Sequence, residues 1–549
     1  MKKKIITLFL AITMIVSTFS ACGNETKETK VASSTETSAK ETENSASKTT
    51  ETTVAEEIAY PEEISIFSTL GTRSSAAGMK DNNDTYWAQE LERITGTHVV
   101  WEHVSSDTKA EKFNLMIASE NYTDAIIYDW QNAEGGLEMY YEDGIIVDLT
   151  DLIPECMPNL NAYLDAHPDV RKILTNSDGQ ILYIPTIRDD LALNIFVGPQ
   201  IRTDWLDKLG LDIPKTTDDL YEVLKAFKTK DPNGNGEADE IPMSGVSFTS
   251  NLYGVGNLLW AFDTHYSFYV KDGKVVWGPV EEQFTEGLAY IAKLYDEGLI
   301  DVDYLLNDRT AMDSKAIADR VGFEFSYQPT KYYNSADFND GTKVMAGIPY
   351  LTTKDNDSMM CFNQSYTQGV VTSVSLAVTT ACEDPKGLLK WLDTVYSEEG
   401  IIALNFGKEG THFEYVNGQP QVIPNMSSEL QADYYATTMI VNATFPLLQQ
   451  WEAYSATLSE WGSEAIATWA DGVDTSGILP SISLTTEEKD QIADALTQIQ
   501  TYAETQMNNV VIGELSINEW PNVVKKFQDM GIDKVLEVYN AAYKRYISK

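Results

Sequence analysis

Positive charge is the scarcest resource in this sequence. Its 549 residues hold 40 Lys and Arg against 83 Asp and Glu, a formal net charge of −43 at pH 7. Nucleic-acid binding needs a basic face to neutralise phosphates, and adsorption to an anionic lipid surface needs the same, so both are excluded. The five histidines, His98, His103, His167, His265 and His412, show no H-E-x-x-H or related ligand spacing. Of the four cysteines, Cys156, Cys361 and Cys382 are widely separated with no C-x-x-C, which excludes a disulfide framework and a zinc site and leaves room for one bridge at most. There is no G-x-S-x-G, no Walker loop and no internal repeat. Composition also excludes collagen, coiled coil and a multi-span membrane protein.

Aromatic residues, by contrast, are plentiful, with 11 Trp and 29 Tyr in a chain that is 43% hydrophobic, enough for a large bilobal core. Met1-Lys2-Lys3-Lys4 followed by the apolar run Ile5–Val16 reads as an export signal, too short to span a bilayer comfortably. Phe19-Ser20-Ala21-Cys22 resembles a bacterial lipobox, with Phe19 where Leu is usual. That assigns residues 1–21 to a signal peptide and makes Cys22 the acylated residue. From Asn24 to Thr53, 14 of 30 residues are Ser or Thr, so residues 22–59 read as a polar tether that buries too little apolar surface to fold. Acyl chains are then the only expected membrane attachment.

From about Tyr60, strands alternate with helices, the mark of a parallel α/β sheet. Strands are expected at Ile64–Phe67, His98–Val104 and Ala125–Tyr128, and helices at Thr85–Ile94 and Ala110–Ala118. Further on, Gly210 closes a helix begun at Thr203, Thr217 caps the next one, and helices fill Trp451–Trp469, Thr486–Met507 and Lys534–Ile547. Asp231-Pro-Asn233-Gly-Asn235-Gly236-Glu237-Ala-Asp239-Glu240 places oxygen side chains at positions 1, 3, 5, 9 and 10 of a loop, with glycine at the sharp turn of position 6. This is the EF-hand spacing for Ca²⁺, with the Glu237 backbone carbonyl at position 7. The pattern departs at position 12, where Pro242 leaves the bidentate role to Glu240. Hard oxygen ligands select Ca²⁺ over zinc or copper, and a structural role is expected because no base stands nearby.

The segments Ile201–Gly210, Ile213–Thr216, Asp231–Glu240, Ala118-Ser119 with Asp124–Ile127, Asn405–Glu414 and Met530–Tyr546 together resemble group 1 extracellular solute-binding proteins of ABC importers, in the lipoprotein branch with the alginate-binding proteins. The resemblance covers nearly all of Ile64–Lys549. It implies a two-lobed α/β fold of the type II periplasmic-binding class, which closes on a solute by hinge motion and presents it to a permease, acting as a monomer without catalysis. The implied lobes are 60–190 with 373–410 and 191–372 with 411–549, with crossings near Ile184–Phe196, near Ser373–Val378 and after Glu409-Gly410. An oligosaccharide is the expected solute, and sugars are held by aromatic platforms with polar rims. The implied ligand residues are Tyr128, Trp130, Trp260 and Tyr327 as platforms, with Gln131, Asn82, Asp84 and Glu409 as polar contacts. For each aromatic, core packing is the competing account. Trp205 and Trp391 sit at core-like spacing, while Arg73, Arg188 and Lys331 offer local positive charge. A peptide or other small polar nutrient is the alternative solute. A glycosidase and a glycan adhesin are the alternative functions, although 83 acidic residues single out no catalytic carboxylate pair.

Overall fold

The triplet Ala125-Ile126-Ile127 is apolar at consecutive positions, as a strand covered on both faces must be, and all three residues are buried. The computed structural model describes residues 58–548 apart from 131–132, 330–331, 333–334, 363–369 and 442–443, with backbone alone at 372–374 and 486. The signal, Cys22, the tether up to residue 57, Gln131 and Lys331 lie outside the described residues.

The chain first lays down β1 (Glu63–Thr69), β2 (His98–Val104) and β3 (Ala125–Asp129), with β1 parallel to both β2 and β3. The crossovers are the helices Tyr86–Thr95 and Lys109–Ser119. Thr85 caps the first by accepting the Ala88 N–H, and Gly96 ends it in the left-handed conformation at φ 74°, which a residue without Cβ adopts freely. After β4 (Ile184–Ile187) the chain crosses through the short helix Leu191–Asn194 into a second sheet. There it forms β5 (Val197–Arg202) and β6 (Ile241–Met243), the hairpin β7 (Phe268–Lys271) and β8 (Lys274–Trp277), then β9 (Val321–Tyr327) and β10 (Met345–Gly347). It returns as β11 (Val371–Val378), which inserts antiparallel between β3 and β4. The hairpin β12 (Phe413–Val416) and β13 (Gln419–Val422) follows, and β14 (Leu447–Leu448) pairs parallel with β4. The sheet orders are β14-β4-β11-β3-β1-β2 and β10-β5-β9-β6.

Separate cores make these two sheets two lobes. Ile66, Trp87, Ile127, Trp391 and Leu447 fill one face of the first sheet, and Phe67, Phe113, Ile126 and Trp130 fill the other. Trp205, Phe227, Trp260, Phe325, Trp469 and Trp520 belong to the core of the second. Trp205 and Trp391 are thus structural, as their spacing predicts.

Three expectations shift. The helix after Ile213-Pro214 is capped by Thr216, whose hydroxyl accepts the Asp219 N–H while the Asp219 carboxylate returns to Thr216; Thr217 is the first helical residue. The segment 451–469 is two helices, Trp451–Ser455 and Glu460–Ala470, because Ser459 starts the second by capping the Gly462 N–H. Finally, the third crossing lies beyond Leu448 and not after Gly410. Residues 411–441 and 444–448 stay with the first lobe: the Tyr434 hydroxyl donates to the Asn405 carbonyl, and Phe445 and Leu447 pack in its core. The Glu460–Ala470 helix reaches the second sheet, where the Trp469 indole donates to the Pro199 carbonyl at 3.2 Å. The helix approaches so closely that a Cβ on Gly198 would lie 2.5 Å from the Trp469 ring. Among the described residues no helix is long and apolar enough to cross a membrane, and no disulfide joins Cys156, Cys361 and Cys382.

Candidate functional site

Ligands of open α/β sheets bind beyond the carboxyl ends of the strands, and here the crossings converge on that edge. β4 ends at Ile187, so Arg188 is the first residue to leave the first sheet, and its N–H donates to the Val370 carbonyl just before β11. On the second sheet, Val197 of β5 pairs with Tyr327 at the end of β9. Phe196 and Tyr327 stack there with ring centroids 5.2 Å apart and planes 11° from parallel. Tyr253 meets Tyr327 edge-on at 5.8 Å, and the Arg309 guanidinium lies 5.6 Å above the Tyr327 ring. Tyr454, on the third crossing, completes the group. Burial raises the phenol pKa values of Tyr327 and Tyr454, and the neighbouring Arg188 opposes that rise in both. Rings left half-buried at a joint between lobes are suited to stacking on a ligand, because they keep apolar area to bury.

Tyr327 is therefore placed at this joint. Trp130 and Trp260 are not. Trp130 is fully buried, its indole donates to the Ile126 carbonyl at 3.2 Å, and Phe113 and Tyr140 pack edge-on against it. Trp260 is 1% exposed, between Phe325 and Tyr350 in the second core. Both are corrected to core residues, since a ring without accessible area cannot stack on a solute. Tyr128 is half-buried at the end of β3, where Phe113 stacks on one face at 3.8 Å and the Lys109 ammonium sits 5.0 Å over the ring, the same stacked ring and cation that Phe196 and Arg309 give Tyr327.

The polar positions also have local duties. The Asp84 carboxylate accepts the N–H groups of Lys80 and Asp81, which hold its pKa below the usual range, and so it closes its own loop. Asn82 is 3% exposed and its N–H donates to His103 Nε2. Glu409 is exposed in the turn beside Phe413, away from the stacked pair in sequence and sheet. Of the residues at the joint, Arg188 and Phe196 stood in or beside the expected crossing segment. Tyr253, Arg309 and Tyr454 carry no sequence signal, because long-range packing brings them in.

The Asp231–Glu240 loop is exposed beside Arg320 and wraps its own oxygens. Asp231 accepts the N–H groups of Gly234 and Gly236, Asn233 accepts that of Asn235, and Asn235 accepts that of Glu237. The Asn235 amide donates to Asp239 at 2.9 Å, and Arg320 approaches Asp239 at 3.2 Å. Glu240 points inward. Its Oε1 is buried with no donor, and burial, then the charges of Asp231 and Asp239, push its carboxyl pKa up. An orphaned carboxylate oxygen facing two further carboxylates fits a hard cation. Among the described residues no three His, Cys, Asp or Glu side chains converge as a metal site, so such a cation would also draw on the asparagine and Glu237 carbonyl oxygens.

Comparison with known proteins agrees with this architecture. The family described as "Bacterial extracellular solute-binding protein" matches residues 80–402, more than half of the chain. The fructooligosaccharide ABC transporter substrate-binding protein FusA of Streptococcus pneumoniae is 28% identical over 497 residues, 86% of this chain and 89% of FusA. The FusA structure in complex with kestose superposes with a TM-score of 0.66 at 26% identity, covering 88% of this chain and 99% of that one, and a FusA "EF-hand mutant" in complex with fructo-nystose gives the same score. Lipoprotein LipO of Bacillus subtilis is 25% identical over 465 residues, 82% of this chain and 88% of LipO. The alginate-binding protein AlgQ2, solved without calcium ion, shares the fold with a TM-score of 0.64 at 21% identity, over 88% of this chain and 98% of its own. With its two lobes, its crossing segments and this match, the chain belongs to the bacterial extracellular solute-binding protein family, whose members bind their solutes and do not transform them.

Proposed function

We propose that the chain is the lipid-anchored, extracellular binding component of an ABC importer. It captures an oligosaccharide at the lobe junction by hinge closure, and the closed form hands the sugar to the permease. The observation that supports this best is the half-buried Phe196–Tyr327 stack where β4, β5 and β9 meet the crossings. The joint has aromatic faces for sugar C–H surfaces and guanidinium groups for hydroxyl rims. The naming of FusA as a fructooligosaccharide binder supports the same solute class, and LipO's name supports an anchor through Cys22. A structural Ca²⁺ held by Asp231, Asn233, Asn235, the Glu237 carbonyl, Asp239 and Glu240 belongs to this reading, supported by the orphaned Glu240 oxygen and by the EF-hand of FusA.

Isothermal titration of the full chain against plant, algal and host oligosaccharides and against peptides tests the function. A sugar is expected to bind and to be recovered intact, with Tyr327→Ala weakening it about tenfold through the lost stacking. Cleavage of the sugar, or binding of peptides alone, would discard the reading.

A further inference from the structure

Resting on the oligosaccharide reading, we propose that Arg188 is the receptor for a carboxylate of the solute, so that the oligosaccharide carried is an acidic one built of uronate units and not a neutral one.

The chain bears a formal charge of −43, so an arginine without a carboxylate at the lobe junction is not a by-product of composition. Arg202 shows how a buried arginine is ordinarily held here: it pairs with Asp204 at 2.6 Å and with Asp319 at 2.5 Å. Among the described residues Arg188 has neither kind of partner. No Asp or Glu lies within ion-pair distance of it among the described residues, and its buried Nε has no acceptor. Burial accordingly pulls the guanidinium pKa down, with only the Tyr454 and Tyr327 phenols opposing. A guanidinium held partly out of water with a donor unmade is costly, and a planar carboxylate that takes the fork bidentately removes that cost.

Its position fits this role. Arg188 leaves β4 on the first crossing, Tyr454 stands on the third, and Tyr327 ends β9 of the second sheet. An anion bound there touches both lobes and both return paths of the chain. Arg309 over the Tyr327 ring supplies a second positive charge at the rim; its own ion pair is a 3.4 Å contact with Asp313. A uronate ring stacked on Tyr327 would thus meet guanidinium groups at its edge.

The test is titration of the full chain with trimers of galacturonate, mannuronate and guluronate, each against its methyl ester, with kestose as a neutral sugar. At least one acid trimer is expected to bind tenfold or more tightly than its ester, and that preference is expected to shrink as salt rises. Arg188→Met is expected to weaken the acid far more than the ester and so to bring the two within twofold of each other. Arg188→Lys keeps charge without the fork and is expected to retain part of the preference; it serves if the Met variant melts early. Equal affinity for acid and ester, or a preference that survives in Arg188→Met, overturns the assignment. Binding of kestose with none of the acids overturns it too but leaves the oligosaccharide reading standing, whereas binding of peptides alone removes both.

Discussion

Buried charge in this molecule is normally paired, and Asp301 shows what pairing contributes. The side chain is 5% exposed and accepts from Ser244, Asn307 and the Lys315 ammonium at 2.8 Å. Burial alone would raise its pKa, but Lys315 and Asn307 outweigh it and hold the carboxyl below the usual value. Asp301→Asn is expected to destabilise the chain by about 3 kcal/mol, because it leaves Lys315 half-buried without its main counter-charge. Urea unfolding should show a lower midpoint at unchanged slope. Because the folded pKa is depressed, the contribution is complete above the unfolded carboxyl value of about 3.9 and fades as pH falls through the lower folded value. The Asn variant should lack that part of the acid dependence; an equally steep acid loss in the variant would rule the pair out as its source. The same scale explains the misplaced platforms. Trp130 follows a strand end and Trp260 lies in an apolar stretch, but a side chain's direction is set by what packs on it, which the linear order does not state.

Among the elements, the Glu460–Ala470 helix rests on β5 and β10 only because two glycines let it. A Cβ on Gly198 would lie 2.5 Å from the Trp469 ring, and one on Gly347 would lie 2.6 Å from the Ala465 Cβ. Gly198→Ala is expected to cost about 2 kcal/mol by overpacking, read as a lowered melting temperature. A variant that melts with wild type would mean the helix slides without penalty. The Asp231–Glu240 loop is the element most open in the sequence, since ligand order along ten residues is local chemistry. With Kd near 10⁻⁴ M, about 2 mM Ca²⁺ should stabilise the chain by about 2 kcal/mol over chelator. Asp231→Ala should abolish that response; identical melting curves of the wild type in calcium and in chelator would remove the metal. Helix boundaries were likewise close, Tyr86–Thr95 against an expected Thr85–Ile94, because caps and apolar spacing are local. The break at Ser459 and the cap at Thr216 were missed, since a single hydroxyl beside a continuous apolar pattern decides each.

For the whole molecule, two cores joined by crossings make closure the expected response to ligand. A bound sugar at about 100 times its Kd should stabilise the chain by about 2.7 kcal/mol, because it binds only the folded protein. Small-angle scattering should show a smaller radius of gyration with ligand, and an unchanged radius on saturation would exclude hinge closure in solution. Fold class, the first three strands with their crossover helices, the EF-hand-like spacing of Asp231–Glu240 and the family resemblance all follow from the sequence by itself, because periodicity, caps and ligand spacing act over neighbouring residues. The place of the last crossing depended on β14 pairing with β4, and the joint between the lobes depended on residues as far apart as Arg188, Tyr327 and Tyr454. Those were decided only by tertiary structure, since contacts between residues more than a hundred positions apart leave no local pattern to read.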